Sequence, residues 1–281
     1  MAEARDSWDE VRAPAVAGTF YPSDPDRLRR EMDELLAMAD PVPLAGPPIA
    51  LVVPHAGTMF SGSVAAAGFR QLAAGEARRV FLIGPSHRLA FAGTAAWAGA
   101  AFATPLGEVP LDRAVLTELL SAGSEVIAVK NAAHDDEHAL EVELPFLQRW
   151  LGRFTLVPLL MGKQDAATSA RLAEVLARVV RPGAGDLVIA SSDLSHYHSY
   201  AQAVALDRLA LARLADFDPE GWLKGLAEGR FEACGGGPIG VALLCARWLG
   251  GREAVVLGYQ NSGDVTGDLE QVVGYAACAV S

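Results

Sequence analysis

The sequence predicts a layered α/β fold, a single domain with a central mixed β-sheet flanked by helices. Three observations carry that expectation. Short apolar runs recur at 49–53, 80–84, 154–161 and 187–191, as strands buried on both faces do. Stretches with helical periodicity separate them, which is the alternation of α/β folds. The Pro- and Gly-punctuated stretch 101–112 reads as a loop or hairpin, so antiparallel pairs should join the sheet. With 281 residues, 51% of them hydrophobic, the chain can bury a large core. No repeat, low-complexity tract or long linker divides it.

Taken in order, residues 1–14 are mostly polar and read as a loose N-terminal segment, which leaves 15–281 as the domain. Asp24 is a good N-cap and Pro25 fits the first helical position, so a helix should cover 25–37. The Pro-rich stretch 40–48 leads into the 49–53 strand, which Pro54 should end. A helix over 63–74 precedes the 80–84 strand. A short apolar run follows at 94–98, then the hairpin, a helix over 111–121 and a strand over 126–129. Residues 131–152 form the next helical candidate, which Pro145 should kink or restart. In the 154–161 strand, Pro158 suggests an edge or a bulge. An amphipathic helix fits 166–180 and a buried strand 187–191. Helices fit 202–215, 219–227 and 239–249. Strands at 254–259 and 272–279 enclose a polar loop, 260–268.

Composition removes several function classes. Lys and Arg number 23 against 34 Asp and Glu, a net charge of −11. Nucleic acids and anionic membranes need a basic surface, so neither is expected as a partner. Three widely spaced cysteines make no disulfide framework. The charged N-terminus lacks the apolar core of a secretory signal, and the apolar runs are too short to span a bilayer. The expectation is a cytoplasmic protein.

The chemistry-bearing residues gather at strand ends, where ligands collect in open α/β sheets. The 49–53 strand runs into Pro54 and His55, and the 80–84 strand into Pro85, Ser86 and His87. Neutral imidazole is the commonest metal ligand, so this pair could face one ion; each could also be a hydrogen-bonded loop histidine. After the 187–191 strand comes SSDLSHYH. If a helical turn follows directly, Asp193 and His196 share a face. Asp193 could then orient His196 or contact a metal, and His196 could act as a general acid/base; Asp193 could instead cap the next helix. Cys234, in EACGGGPIG, precedes three glycines and a helix start. Amides there would favour a thiolate or an anion, and a thiolate is a soft metal ligand; a small residue in a tight turn is the plainer reading. Cys245 and Cys278 lie in apolar segments and read as core.

The stretch HDDEHALE matches H-x-x-E-H through His134, Glu137 and His138, the inverted zinc-protease pattern. That pattern is short, and His138 and Glu141 read better as the rim of a pocket or as helix-capping groups. No dinucleotide fingerprint, P-loop or G-x-S-x-G elbow occurs in a suitable context.

Together, AVAGTFYP, PHAG, GPSH, EHALEVELPFL, SSDLSH and CGGGPI, in this order from about Ala15 to Val280, resemble the Memo family, called AmmeMemoRadiSam system protein B in bacteria and archaea. The resemblance implies a fold similar to class III extradiol dioxygenases, which use non-haem iron. It implies a metal site from His55, His87 and Cys234, with Asp193 and His196 nearby and His196 in the place of the dioxygenase acid/base histidine. It also implies a radical-SAM protein and system protein A as partners. One departure matters: those dioxygenases complete their site with a carboxylate, and this chain offers Cys234. Two histidines and a thiolate suit copper or zinc as well as iron, so ring cleavage does not carry over.

Three readings follow. The first is a metal-binding, redox-active protein; if it is an enzyme, it is a non-haem metal-dependent oxidoreductase with iron or copper, or else zinc, at the His/His/Cys site. The second is a non-catalytic module that takes a peptide or small anion in the same pocket, using amides around Gly235 and Gly236. The third is a zinc hydrolase built on His134 and His138.

Overall fold

A computed structural model of the protein describes residues 8–75 and 79–281. The first half of the chain contributes β1 (Val11–Arg12), α1 (Pro25–Met38), β2 (Ala50–Val53), α2 (Thr58–Phe69), β3 (Arg79–Pro85), β4 (Thr94–Ala96), β5 (Ala101–Thr104), β6 (Gly107–Pro110), α3 (Arg113–Ala122) and β7 (Ile127–Val129). The second half contributes α4 (Leu144–Trp150), β8 (Thr155–Met161), α5 (Ala166–Val179), β9 (Asp186–Ser191), β10 (His196–His198), α6 (Tyr200–Ala215), α7 (Pro219–Ala227), α8 (Gly236–Trp248), β11 (Ala254–Asn261), α9 (Ser262–Thr266) and β12 (Val272–Val280).

Among the described residues the main sheet has the order β10-β12-β2-β9-β3-β8-β4-β7, and β11 also pairs with β12. Its centre, β2, β9, β3 and β8, is parallel. The contacts of β12 with β2 and of β4 with β8 are antiparallel, so the sheet is mixed. Every residue of β2 and β9 is buried, as the uninterrupted apolar runs require. On the helical side, α1 packs with α2 and α4, while α8 packs with α5, α7 and the strands β9, β2 and β3. The result is the single α/β domain with a flanked mixed sheet that the sequence predicts. A three-stranded sheet, β1-β5-β6, contains the expected hairpin.

Five local expectations need correction. The 131–152 stretch is not a helix until Leu144. Before that it makes single 3-10 turns at Asn131–Ala133 and Glu141–Glu143, and Pro145 sits in the first turn of α4. The His and Glu side chains of this stretch turn inward to separate partners, which a regular helix would not allow. Pro158 is neither at an edge nor at a bulge. It pairs with Leu82 of β3, and it lies just before the first β8 residue paired with β4, Leu159, where a missing N–H breaks no antiparallel bond. Helix α2 starts at Thr58 rather than at residue 63, directly behind His55. The polar loop folds into α9, fixed by a capping box between Asn261 and Asp264. In the N-terminal segment expected to be loose, Val11 and Arg12 pair with Ala101 and Phe102, and Arg12 is buried; residues 1–7 lie outside the described residues.

Candidate metal centre

Three parallel strands deliver the site at their carboxyl ends. β2 stops at Val53, and its continuation Pro54–His55 turns into α2. The His55 backbone N–H donates to Asp193 Oδ1 at 2.9 Å, so the loop after β9 holds the loop after β2. The His55 ring is 1% exposed. Its Nδ1 lies 2.7 Å from Ser191 Oγ and its Nε2 3.2 Å from Cys234 Sγ. Burial first, then the neighbouring His87, lowers its pKa to about 3, so the ring is neutral and can serve as a ligand.

His87 follows β3. Its Nδ1 lies 2.9 Å from Glu137 Oε1. Glu137 also accepts from the backbone N–H groups of His87, His138 and Ala139. Burial works against the charge of Glu137, but the hydrogen bond and charge of His87 and the backbone donors overcome it and hold the carboxyl at about 2. An ionised carboxylate can only accept. His87 therefore donates through Nδ1, and Nε2 is the ring nitrogen left to meet a metal.

Cys234 closes the triangle from the turn before α8. The Asp193 N–H points at its sulfur, 3.2 Å away. Burial and the Asp193 carboxyl push the thiol well above its ordinary range. The ligand atoms of His55, His87 and Cys234 all lie within 4.8 Å of one another. His87, Glu137 and His138 satisfy the same distance test, but both Glu137 oxygens are already engaged by four donors, so this group reads as the support of His87.

The surrounding cavity measures about 660 Å³. Its floor carries His55, His87, His138, Asp193, His196 and Cys234, and its walls are largely apolar, with Phe20, Met59, Phe60, Val273 and Tyr275. Arg88 stands at the rim. Tyr197, also at the mouth, is 70% exposed and has φ 61°. His138 stacks on His87 with ring centroids 4.8 Å apart, and burial lowers its pKa to about 4.

A family model described as Memo-like protein matches residues 12–279. The chain belongs to the Memo family. A MEMO1 family protein of Sulfolobus acidocaldarius is 38% identical over 278 residues, covering 94% of this chain and 97% of the relative. One from Methanopyrus kandleri is 37% identical over 280 residues, with 95% and 97% covered. The crystal structure of an uncharacterized protein from Escherichia coli K12 matches with a TM-score of 0.56 at 16% identity, over 82% of this chain and 98% of that one, a likeness of fold.

In this Memo family chain, the structure brings together His55, His87, Cys234, Asp193, His196 and His138. Asp193 neither caps a helix nor hydrogen-bonds His196. It anchors the His55 loop, while His196 Nδ1 donates to the Leu194 carbonyl at 2.8 Å, and α6 starts only at Tyr200. Glu141 is not at the pocket rim. It is fully buried, paired with Arg12 and accepting from Ala15 N–H, Val16 N–H and the Tyr21 hydroxyl. Gly235 and Gly236 are buried and do not line the cavity. The amides of Gly235, Gly236 and Gly237 donate to Ser192 Oγ, the Ala233 carbonyl and Gln164 Oε1, so no free cradle for an anion remains. A Cβ at Gly235 would fall 2.4 Å from the Ser191 carbonyl, which is the need this glycine serves. His134 is buried away from the cavity, donating Nε2 to the Ala95 carbonyl at 3.2 Å. It shares no helix face with His138, and among the described residues it joins no ligand cluster. The zinc-protease pattern therefore has no site. The sequence reading missed Glu137 as the partner of His87, and also Ser191 and Glu143 behind His55. Only Glu143 had a usable signal, its place with Glu141 inside the apolar run ALEVELPFL, since buried acids need partners. Among the described residues no helix is long and apolar enough to cross a membrane.

Proposed function

We propose that this protein binds a transition metal ion through His55 Nε2, His87 Nε2 and Cys234 Sγ, and that the centre is redox-active. The observation that carries the reading is the convergence of one ligand atom from each of these residues within 4.8 Å, with Nδ1 of each imidazole already held. Ligand bonds of about 2.0 Å to nitrogen and 2.3 Å to sulfur in a tetrahedral site place N and S about 3.5 Å apart; His55 Nε2 and Cys234 Sγ are 3.2 Å apart. Two imidazoles and a thiolate suit iron, copper or zinc. Bound iron or copper would supply one-electron chemistry.

The chain's own groups divide the remaining work. The Asp193 N–H stabilises negative charge on the sulfur. His196 donates its Nδ1–H to the Leu194 carbonyl, which leaves Nε2 as the ring atom for proton exchange with a ligand in the cavity. The apolar wall favours an organic ligand beside the ion and limits water there. Metal analysis of protein purified without a His tag should show about one ion per chain, lost in the His55→Ala/Cys234→Ser double variant. X-ray absorption should show sulfur and nitrogen neighbours. Equal metal content in the two proteins would overturn the reading.

A further inference from the structure

Ser191, the last residue of β9, is buried, and its hydroxyl meets three groups. The Ala139 carbonyl lies 2.6 Å away, Glu143 Oε1 2.8 Å and His55 Nδ1 2.7 Å. A serine hydroxyl has one proton to give and two lone pairs to receive with. The Ala139 carbonyl can only accept, so it takes the Ser191 proton. The other two neighbours must then both donate to Ser191. An ionised carboxylate has nothing to donate.

We propose that Glu143 stands as a neutral carboxylic acid whose O–H, through Ser191, fixes His55 as the Nδ1–H tautomer. Any other assignment leaves two lone pairs facing each other, oxygen on oxygen or nitrogen on oxygen, at 2.8 Å or less in a buried site. The surroundings agree. Glu143 is fully buried, and its second oxygen has no hydrogen-bond partner among the described residues, a position a carbonyl oxygen tolerates better than a shared negative charge. Burial pushes its pKa well up and outweighs the contact with Ser191, which works the other way, while the nearby Asp193 carboxyl adds to the rise. Glu143 is thus a positioning residue. It touches neither the cavity nor the cluster, but it settles which nitrogen of His55 carries the lone pair that faces Cys234. The tautomer does not depend on a metal; its value to a bound ion rests on the function proposed above.

The test has two arms. On metal-free protein labelled with 15N-histidine, the signal that vanishes in His55→Gln should be that of an Nδ1–H ring at neutral pH. The infrared difference between wild type and Glu143→Gln should show the C=O stretch of a protonated carboxyl, present only in wild type. A carboxylate band for Glu143, or His55 protonated at Nε2, would overturn the inference. In the metal arm, Glu143→Gln keeps an N–H donor for Ser191 and should bind added zinc or copper within about twofold of wild type. Glu143→Leu, without a donor, should lose about 10- to 100-fold in affinity, the usual effect of removing an outer hydrogen-bond partner. Wild type without metal affinity but with the neutral acid present would remove the metal centre and leave this inference standing. Tight metal binding with an ionised Glu143 would remove this inference alone.

Discussion

The two imidazoles of the cleft are backed in opposite ways. His87 is partly open to solvent and rests directly on Glu137, a carboxylate kept charged by His87 and three backbone N–H groups. His55 is buried and rests on a hydroxyl, Ser191, with Glu143 behind it and, among the described residues, no cation paired to that acid. The contrast follows from location. A charge is affordable where many donors surround it and one side is wet; in the dry interior the same side chain is cheaper as a neutral acid. Both arrangements reach one end, an imidazole that donates through Nδ1 and offers Nε2.

The largest expected effect lies on the charged side. Glu137→Ala strands three backbone donors and an imidazole, so urea denaturation should show a loss of about 3–5 kcal/mol. A loss below about 1 kcal/mol would mean that the carboxylate is not what holds the His87 side. The pH dependence then separates the two acids by sign. Glu137 has its carboxyl lowered from 4.5 to about 2. Its contribution is therefore fully present above the ordinary carboxyl range and is lost as pH falls from 4.5 through about 2, by about 3 kcal/mol. Glu137→Gln should lack that acid-limb slope, and an unchanged slope would break the contrast. Glu143 is shifted upward, so it favours the fold at low pH and loses that contribution as pH rises past the ordinary carboxyl range. Relative to Glu143→Gln, wild type should weaken by about 1.4 kcal/mol for each pH unit across that rise. Parallel stability curves for the two proteins would mean that Glu143 ionises in the fold as it does outside it.

How far these arrangements can be read from sequence differs along the chain. His55 and His87 were legible because each follows an apolar run and a proline, and the carboxyl edge of a parallel sheet gathers such residues. Cys234 was legible from the glycine turn at a helix start. The backing acids were not. His134, Glu137, His138 and Glu141 repeat at helical spacing, and that regularity suggested a helix. The spacing carries no trace of Arg12, which claims Glu141, or of His87, which claims Glu137 from 50 residues away. Likewise, three glycines suggested open amides, whereas Ser192 and Gln164, distant in sequence, occupy two of them. Local pattern shows where a strand ends; which buried acid meets which histidine is decided by pairings across the chain.

The place of β2 has a consequence for the order in which the protein is made. Val52 pairs with Ala190 on one side and with Cys278 on the other. The strand that carries His55 is synthesised early, yet both its neighbours emerge from the ribosome late. Until β9 and β12 emerge it is an apolar segment with two open edges, a species prone to wrong pairing. Val273 and Tyr275 of β12 line the cleft, so it closes only after β12 has been delivered, and any ion it holds is acquired after that strand has paired.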